Sequence, residues 1–113
     1  MRKLIYGKIY DTEKAECLMH ADWMTHHPNL SGRATLRHER GVYRTKSGKL
    51  FGYAYDEHGY GRDRDGVTGA YTRRESYIEP FDDSLKAMVW AELENCFEVE
   101  DFEKHFSDVV EEA

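Results

Sequence analysis

Residues 37–55, RHERGVYRTKSGKLFGYAY, form two alternating runs about Ser47-Gly48, and this stretch decides the fold class. From Leu36 to Thr45 and from Lys49 to Tyr55 the residues are β-branched, aromatic or long and charged. That composition suits strands half covered by a core. In Lys46-Ser47-Gly48-Lys49, the glycine enters positive φ without a Cβ clash, so the segment predicts a hairpin turn.

Upstream, Arg2–Tyr10 holds Leu4, Ile5, Tyr6, Ile9 and Tyr10 and predicts a first strand, with Gly7 as a bulge or close approach. Asp11-Thr12-Glu13 is turn chemistry. Lys14–Trp23 fits a short helix through Ala15, Leu18, Met19 and Asp22, or a strand through Cys17, Met19, Ala21 and Trp23. The strand is preferred as the second. Met24–Arg33, with its histidines, Pro28 and Gly32, is expected to be loop, and so is the glycine-rich run Asp56–Ala70. A fifth strand is expected around Ser76–Phe81.

Downstream lie two helices. Asp82 or Asp83 caps the first, whose apolar face is read as Leu85, Met88, Val89, Leu93 and Cys96, with Trp90 at its edge. Asn95–Glu98 interrupts, and Val99–Val110 predicts a second helix with Val99, Phe102, Phe106 and Val109/Val110 on one side. The expected fold is α+β: a four- to five-stranded, mostly antiparallel sheet with two C-terminal helices packed on one face. At 113 residues it reads as one domain over 1–113, with sheet in 1–81 and helices in 82–110.

Composition narrows the function classes. A 40% hydrophobic and 34% charged chain with eight tyrosines is globular, not disordered. Two isolated cysteines, Cys17 and Cys96, fit a reducing cytoplasm better than a disulfide scaffold. No apolar run approaches the ~20 residues of a membrane span, and Met1–Tyr10 lacks the features of a signal peptide. The charge is uneven: residues 1–74 carry 14 Lys and Arg against 9 Asp and Glu, whereas residues 75–113 carry 2 against 13. A basic sheet and an acidic helical end either complement one another or offer the acids to a basic partner.

No catalytic signature stands out. Asp63-Arg64-Asp65-Gly66 resembles a calcium-loop fragment, but the EF-hand register puts Gly61 and Thr72 where the first and last carboxylates belong. Cys17, His20, His26 and His27 lack paired zinc-ligand spacing. The glycines of 59–69 fit no phosphate-binding fingerprint. A Cys17/His nucleophile would need an orienting third group that sequence does not reveal. The expectation is therefore no enzyme, no metal and no cofactor. Tyr60, Arg62, Asp63 and Asp65 stand as a candidate binding loop on the length and composition of their segment.

Two binding surfaces are expected. Arg37, Arg40, Arg44, Lys46 and Lys49 alternate with aromatic residues, Tyr53 and Tyr55 among them, as in sheets that track phosphates and stack bases. Alternatively those rings are core and the cations solvate a face. Glu92, Glu94, Glu98, Glu100, Asp101 and Glu103 form an acidic helical surface suited to a basic protein partner.

Four segments also carry a family resemblance. Ile5–Ala15 (IYGKIYDTEKA) resembles an opening written I-x-G-K-x-Y-D-T-E-x-A. Val42–Phe51 (VYRTKSGKLF) resembles a central L-Y-R-T-K-x-G-x-x-F hairpin. Tyr77–Phe81 is similar to the strand before a helix, and Ala87–Phe106 to an A-x-x-W-A-E helix followed by a short acidic one. The chain so resembles a family of small orphan proteins of phages and other bacterial mobile elements. The resemblance implies a cytoplasmic, non-enzymatic accessory protein of a family with members that counter host defence, CRISPR included; the acidic helices make a nucleic-acid-handling host complex the expected partner. The resemblance supplies no catalytic residues. The chain departs from the pattern at Met24–Pro28 and Asp56–Tyr71.

Overall fold

The computed structural model describes residues 1–27, 34–60 and 71–113. Four long strands, β3 (Glu16–His27), β4 (Ala34–Arg44), β5 (Leu50–Tyr60) and β6 (Tyr71–Phe81), pair in sequence order as an antiparallel meander. Two short strands, β1 (Arg2–Ile5) and β2 (Lys8–Asp11), form a separate hairpin. Helices α1 (Ser84–Glu94) and α2 (Val99–His105) complete an α+β fold.

The expected first strand is thus broken in two. Tyr6 and Gly7 both have positive φ (48° and 76°), the backbone of a tight hairpin turn, so Gly7 turns the chain where a bulge or a close backbone approach was expected. Leu4 pairs with Ile9 on the hairpin's outer face, whereas Tyr10 is buried. The strand alternative holds for residues 16–23, with a bulge at Cys17/Met19. It runs on through residues 24–27, which were expected to be loop. Likewise residues 56–60 extend β5: Asp56 pairs with both His38 and Glu75 in the ladders, and its carboxylate finds cations across the sheet. Residues 28–33 and 61–70, the rest of both expected loops, lie outside the described residues.

Successive strand residues point to opposite faces, and here both faces bury apolar side chains. Val42 and Phe81 join Met19, Leu18, Ala87, Ala91 and Phe106 beneath the helices. Tyr43, Phe51 and Ile78 join Tyr10 beneath the β1–β2 hairpin. The helices therefore cover one sheet face as expected, and the N-terminal hairpin forms a third layer on the other. Trp90 of α1 lies directly on Gly52 of β5, where a Cβ would stand 2.9 Å from the indole ring.

Asp83 caps α1, its carboxylate accepting from the Lys86 N–H at 2.9 Å. Asn95 ends it in the left-handed region. The inward face of α1 differs from the expected one. Ala87 and Ala91 are buried, with Trp90 and Met88 beside them, whereas Leu85, Val89 and Leu93 face outward. Small alanines allow the close approach to the sheet that Gly52 also permits. Helix α2 is shorter than expected and stops at His105, and Val109 and Val110 bond back to the Phe106 carbonyl in a terminal turn.

Candidate protein-binding surface

A groove of about 730 Å³ opens between the C-terminal half of α1, α2 and the terminal turn. Its floor is apolar: Met88, Phe97, Phe102, Val109 and Val110. Phe97 meets Phe102 edge-on at 6.4 Å between ring centroids, and Phe102 leans on the fully buried Phe106 at 6.2 Å. The rim is acidic, with Glu92 from α1, Glu103 from α2, and Glu111 and Glu112 from the tail. The local sequence explains the shape. Asn95 breaks α1 in the left-handed conformation, and Asp101 accepts from the Glu98 N–H at 3.3 Å to start α2, so the two helices diverge around Phe97.

The structure sorts the six expected acids. Glu92, Glu98, Glu100 and Glu103 are exposed. Asp101 is half-buried at the start of α2, and Glu94 turns inward, its Oε2 accepting from Arg40 Nε at 2.8 Å. Only Glu92 and Glu103 of the six line the groove; Glu111 and Glu112 were missed because they follow the last apolar periodicity.

The expected basic face is divided. Arg37 pairs with Glu39 at 3.2 Å, and Arg44 pairs with Glu16 at 2.8 Å. Alternation places Arg37 on the hairpin side and Arg40 and Arg44 on the helix side. Tyr43 and Phe51 stack on each other in the core, at 5.3 Å. The Tyr55 hydroxyl donates to Glu57 at 2.8 Å, and Tyr53 is half-buried, its hydroxyl pKa pushed up chiefly by burial. Lys46 and Lys49 are exposed at the turn. The seven residues do not make one surface. Of the candidate loop, Tyr60 ends β5, and Arg62, Asp63 and Asp65 lie outside the described residues.

A polar cluster on the helix side of the sheet was not foreseen. The Arg40 guanidinium is only 11% exposed and grips both Asp56 oxygens (3.0 and 2.9 Å), Glu94, and the Glu39 and Tyr55 carbonyls. It also lies 5.5 Å from the centroid of Trp23. His38 stacks on Trp23 and bridges Asp56 Oδ1 (2.8 Å) to Thr25 Oγ1 (2.9 Å). Burial alone would raise the Asp56 pKa, but the hydrogen bonds from Arg40 and His38 prevail and lower it. For Arg40, burial opposes the charge, and its bonds to Asp56 and Glu94 outweigh that and raise the pKa. The hydroxyl–imidazole–carboxylate order is that of a nucleophilic triad. Here, however, Asp56 is neutralised by Arg40, whose donors are occupied by Glu94 and backbone carbonyls, so the cluster is built as a clamp between α1 and the sheet. No sequence signal marks it, since residues bonded to one another in it, such as Arg40 and Glu94, are up to 54 residues apart.

Of Cys17, His20, His26 and His27, weighed above as zinc ligands, the contacts of Cys17 and His20 are described. His20 contacts Glu39 at 2.8 Å, and the Cys17 thiol, its pKa raised mainly by burial, donates to the Met19 carbonyl at 3.6 Å. Burial also raises the Cys96 thiol. Among the described residues, no helix is long and apolar enough to cross a membrane. Compared with known protein families, with curated proteins and with solved structures, the chain matches none.

Proposed function

We propose that this protein acts by binding another protein, presenting the α1–α2 groove to a segment that carries apolar side chains flanked by Lys or Arg. The observation that carries this reading is the pairing of an apolar floor with four rim glutamates in one concave surface. Apolar side chains in such a floor supply affinity, and the rim charges supply orientation and encounter rate. Together with the resemblance to mobile-element proteins, the acidic surface supports an inhibitor of a bacterial defence nucleoprotein, anti-CRISPR-like, that occupies a positively charged site. Direct binding of nucleic acid is disfavoured by the division of the basic residues between two faces and by a net charge of −6.

The test is capture from bacterial lysate with and without nuclease, repeated with Glu103→Lys plus Glu111→Lys. A protein partner retained after nuclease and lost with the double reversal is the expected result. Equal capture by both variants, or recovery of nucleic acid alone, overturns the proposal.

A further inference from the structure

The outer face of the β1–β2 hairpin is apolar and open to solvent: Leu4 is 67% exposed and Ile9 55%. Tyr6, in the turn between them, is 100% exposed. Its φ of 48°, beside Gly7 at 76°, is a conformation in which Asn-Gly is the favoured pair. A tyrosine there costs backbone strain, and a fully exposed ring recovers none of it by packing within its own chain. The residue therefore suits a contact outside the chain. Cations surround it: Arg2, Lys3 and Lys8 are all exposed. Arg2 reaches Asp11 at 3.7 Å, and among the described residues Lys3 and Lys8 have no ion-pair partner.

We propose that the α1–α2 groove of one copy receives the β1–β2 hairpin of another. Tyr6, Leu4 and Ile9 lie on the apolar floor, and Arg2, Lys3 and Lys8 face the rim glutamates. This rests on the protein-binding reading of the groove and names what occupies it when no other partner is present. Charge complementarity selects the occupant. Glu92, Glu103, Glu111 and Glu112 have no ion-pair partner among the described residues. The hairpin supplies apolar side chains flanked by cations, the chemistry that such a groove fits. A chain cannot fill its own groove. Tyr10 fixes the hairpin to one face of the sheet, against Tyr43, Phe51 and Ile78, whereas the helices cover the other face. For the same reason two copies cannot exchange hairpins face to face, so the contact is heterologous and adds copies head to tail. A hairpin tip buries less than the ~1,200 Å² of a standard interface, and the net charge of −6 on each copy adds repulsion. The association is accordingly weak.

Sedimentation velocity of the purified chain over about 10–500 µM, without any partner, tests this directly. The unmodified chain should grow past dimer as concentration rises. One variant removes the hairpin contact: Tyr6→Asn with Leu4→Asp, both at exposed positions and with the turn given its favoured Asn-Gly pair. The other, Glu103→Lys with Glu111→Lys, disables the groove. Each alone should raise the Kd more than about tenfold and stay monomeric, with its circular dichroism unchanged. Mixed in equal amounts, the two should form a dimer and nothing larger, because one intact hairpin meets one intact groove. An unmodified chain that stays monomeric, or that stops at a dimer, overturns the proposal. So does assembly that survives either variant, or a mixture that fails to pair. Capture from lysate separates this inference from the reading it rests on. The hairpin variant keeps its groove and should capture a partner as well as the unmodified chain does. A monomeric chain that still captures a partner through the groove overturns self-association alone.

Discussion

Replacing Arg40 with methionine keeps the apolar stem over Trp23 and removes the charge that Asp56 and Glu94 share. Two half-buried carboxylates then face each other's field with His38 as the remaining neighbour. Breaking a fully buried ion pair by removing one partner costs about 3–5 kcal/mol. Asp56 and Glu94 side chains keep 22% and 23% of their exposure, which lets water answer part of the loss. We therefore expect a destabilisation of about 2–3 kcal/mol, or a fall in Tm of about 10 °C for a chain of this size. Urea unfolding followed by tryptophan fluorescence measures it, since Trp23 and Trp90 report on the sheet and on the helix layer. The pH dependence provides a second check. The folded pKa of Asp56 is lowered, so its contribution is present above the unfolded carboxylate value of about 3.9 and is lost as pH falls through the folded value. The gap between the parent and Arg40→Met should accordingly narrow on acidification. A gap under about 0.5 kcal/mol at pH 7, or one that persists unchanged at pH 2, would refute the clamp.

Three further outcomes are expected. Gly52→Ala drives a methyl into the Trp90 ring and should destabilise by about 1–3 kcal/mol with a shifted tryptophan emission, measured by fluorescence and urea titration. Phe106→Ala empties a fully buried site between the helices and the sheet, for a loss of about 3–5 kcal/mol by thermal unfolding. Burial, with Cys17 and Glu39 nearby, pushes Tyr43 up to about 12. Its neutral form is thus favoured by the fold, and stability should decline as pH rises from about 10 towards that value, as read by ultraviolet titration alongside unfolding.

The hairpin at Ser47-Gly48 was legible because turn and strand chemistry coincide there, and Gly48 does adopt positive φ (90°). The helix at Ser84 was legible from its aspartate cap. Its orientation was not. Hydropathy favours Leu85, Val89 and Leu93 as the inward stripe, yet the sheet takes Ala87 and Ala91 because Trp90 needs the bare backbone of Gly52 and Glu94 needs Arg40. Local pattern holds no record of either partner. The extensions of β3 and β5 were hidden for a similar reason: Thr25 and Asp56 look like loop residues until the ladders bring both beside His38. Of the candidate surface, the acids of α1 and α2 were visible as composition, whereas the groove exists only once Asn95 has turned the chain.

The meander has a kinetic corollary. Every long strand pairs with its immediate neighbour in the chain, so the sheet can assemble by successive short loop closures, the order of events that gives rapid folding. The Arg40–Glu94 contact spans 54 residues and joins elements that such a zipper brings together last. Interactions absent from the transition state govern how fast a native chain comes apart rather than how fast it forms. Glu94→Gln should then leave the refolding limb of a chevron nearly unmoved and steepen the loss on the unfolding side. By this measure, α1 acts as the latch that sets the protein's lifetime in the folded state.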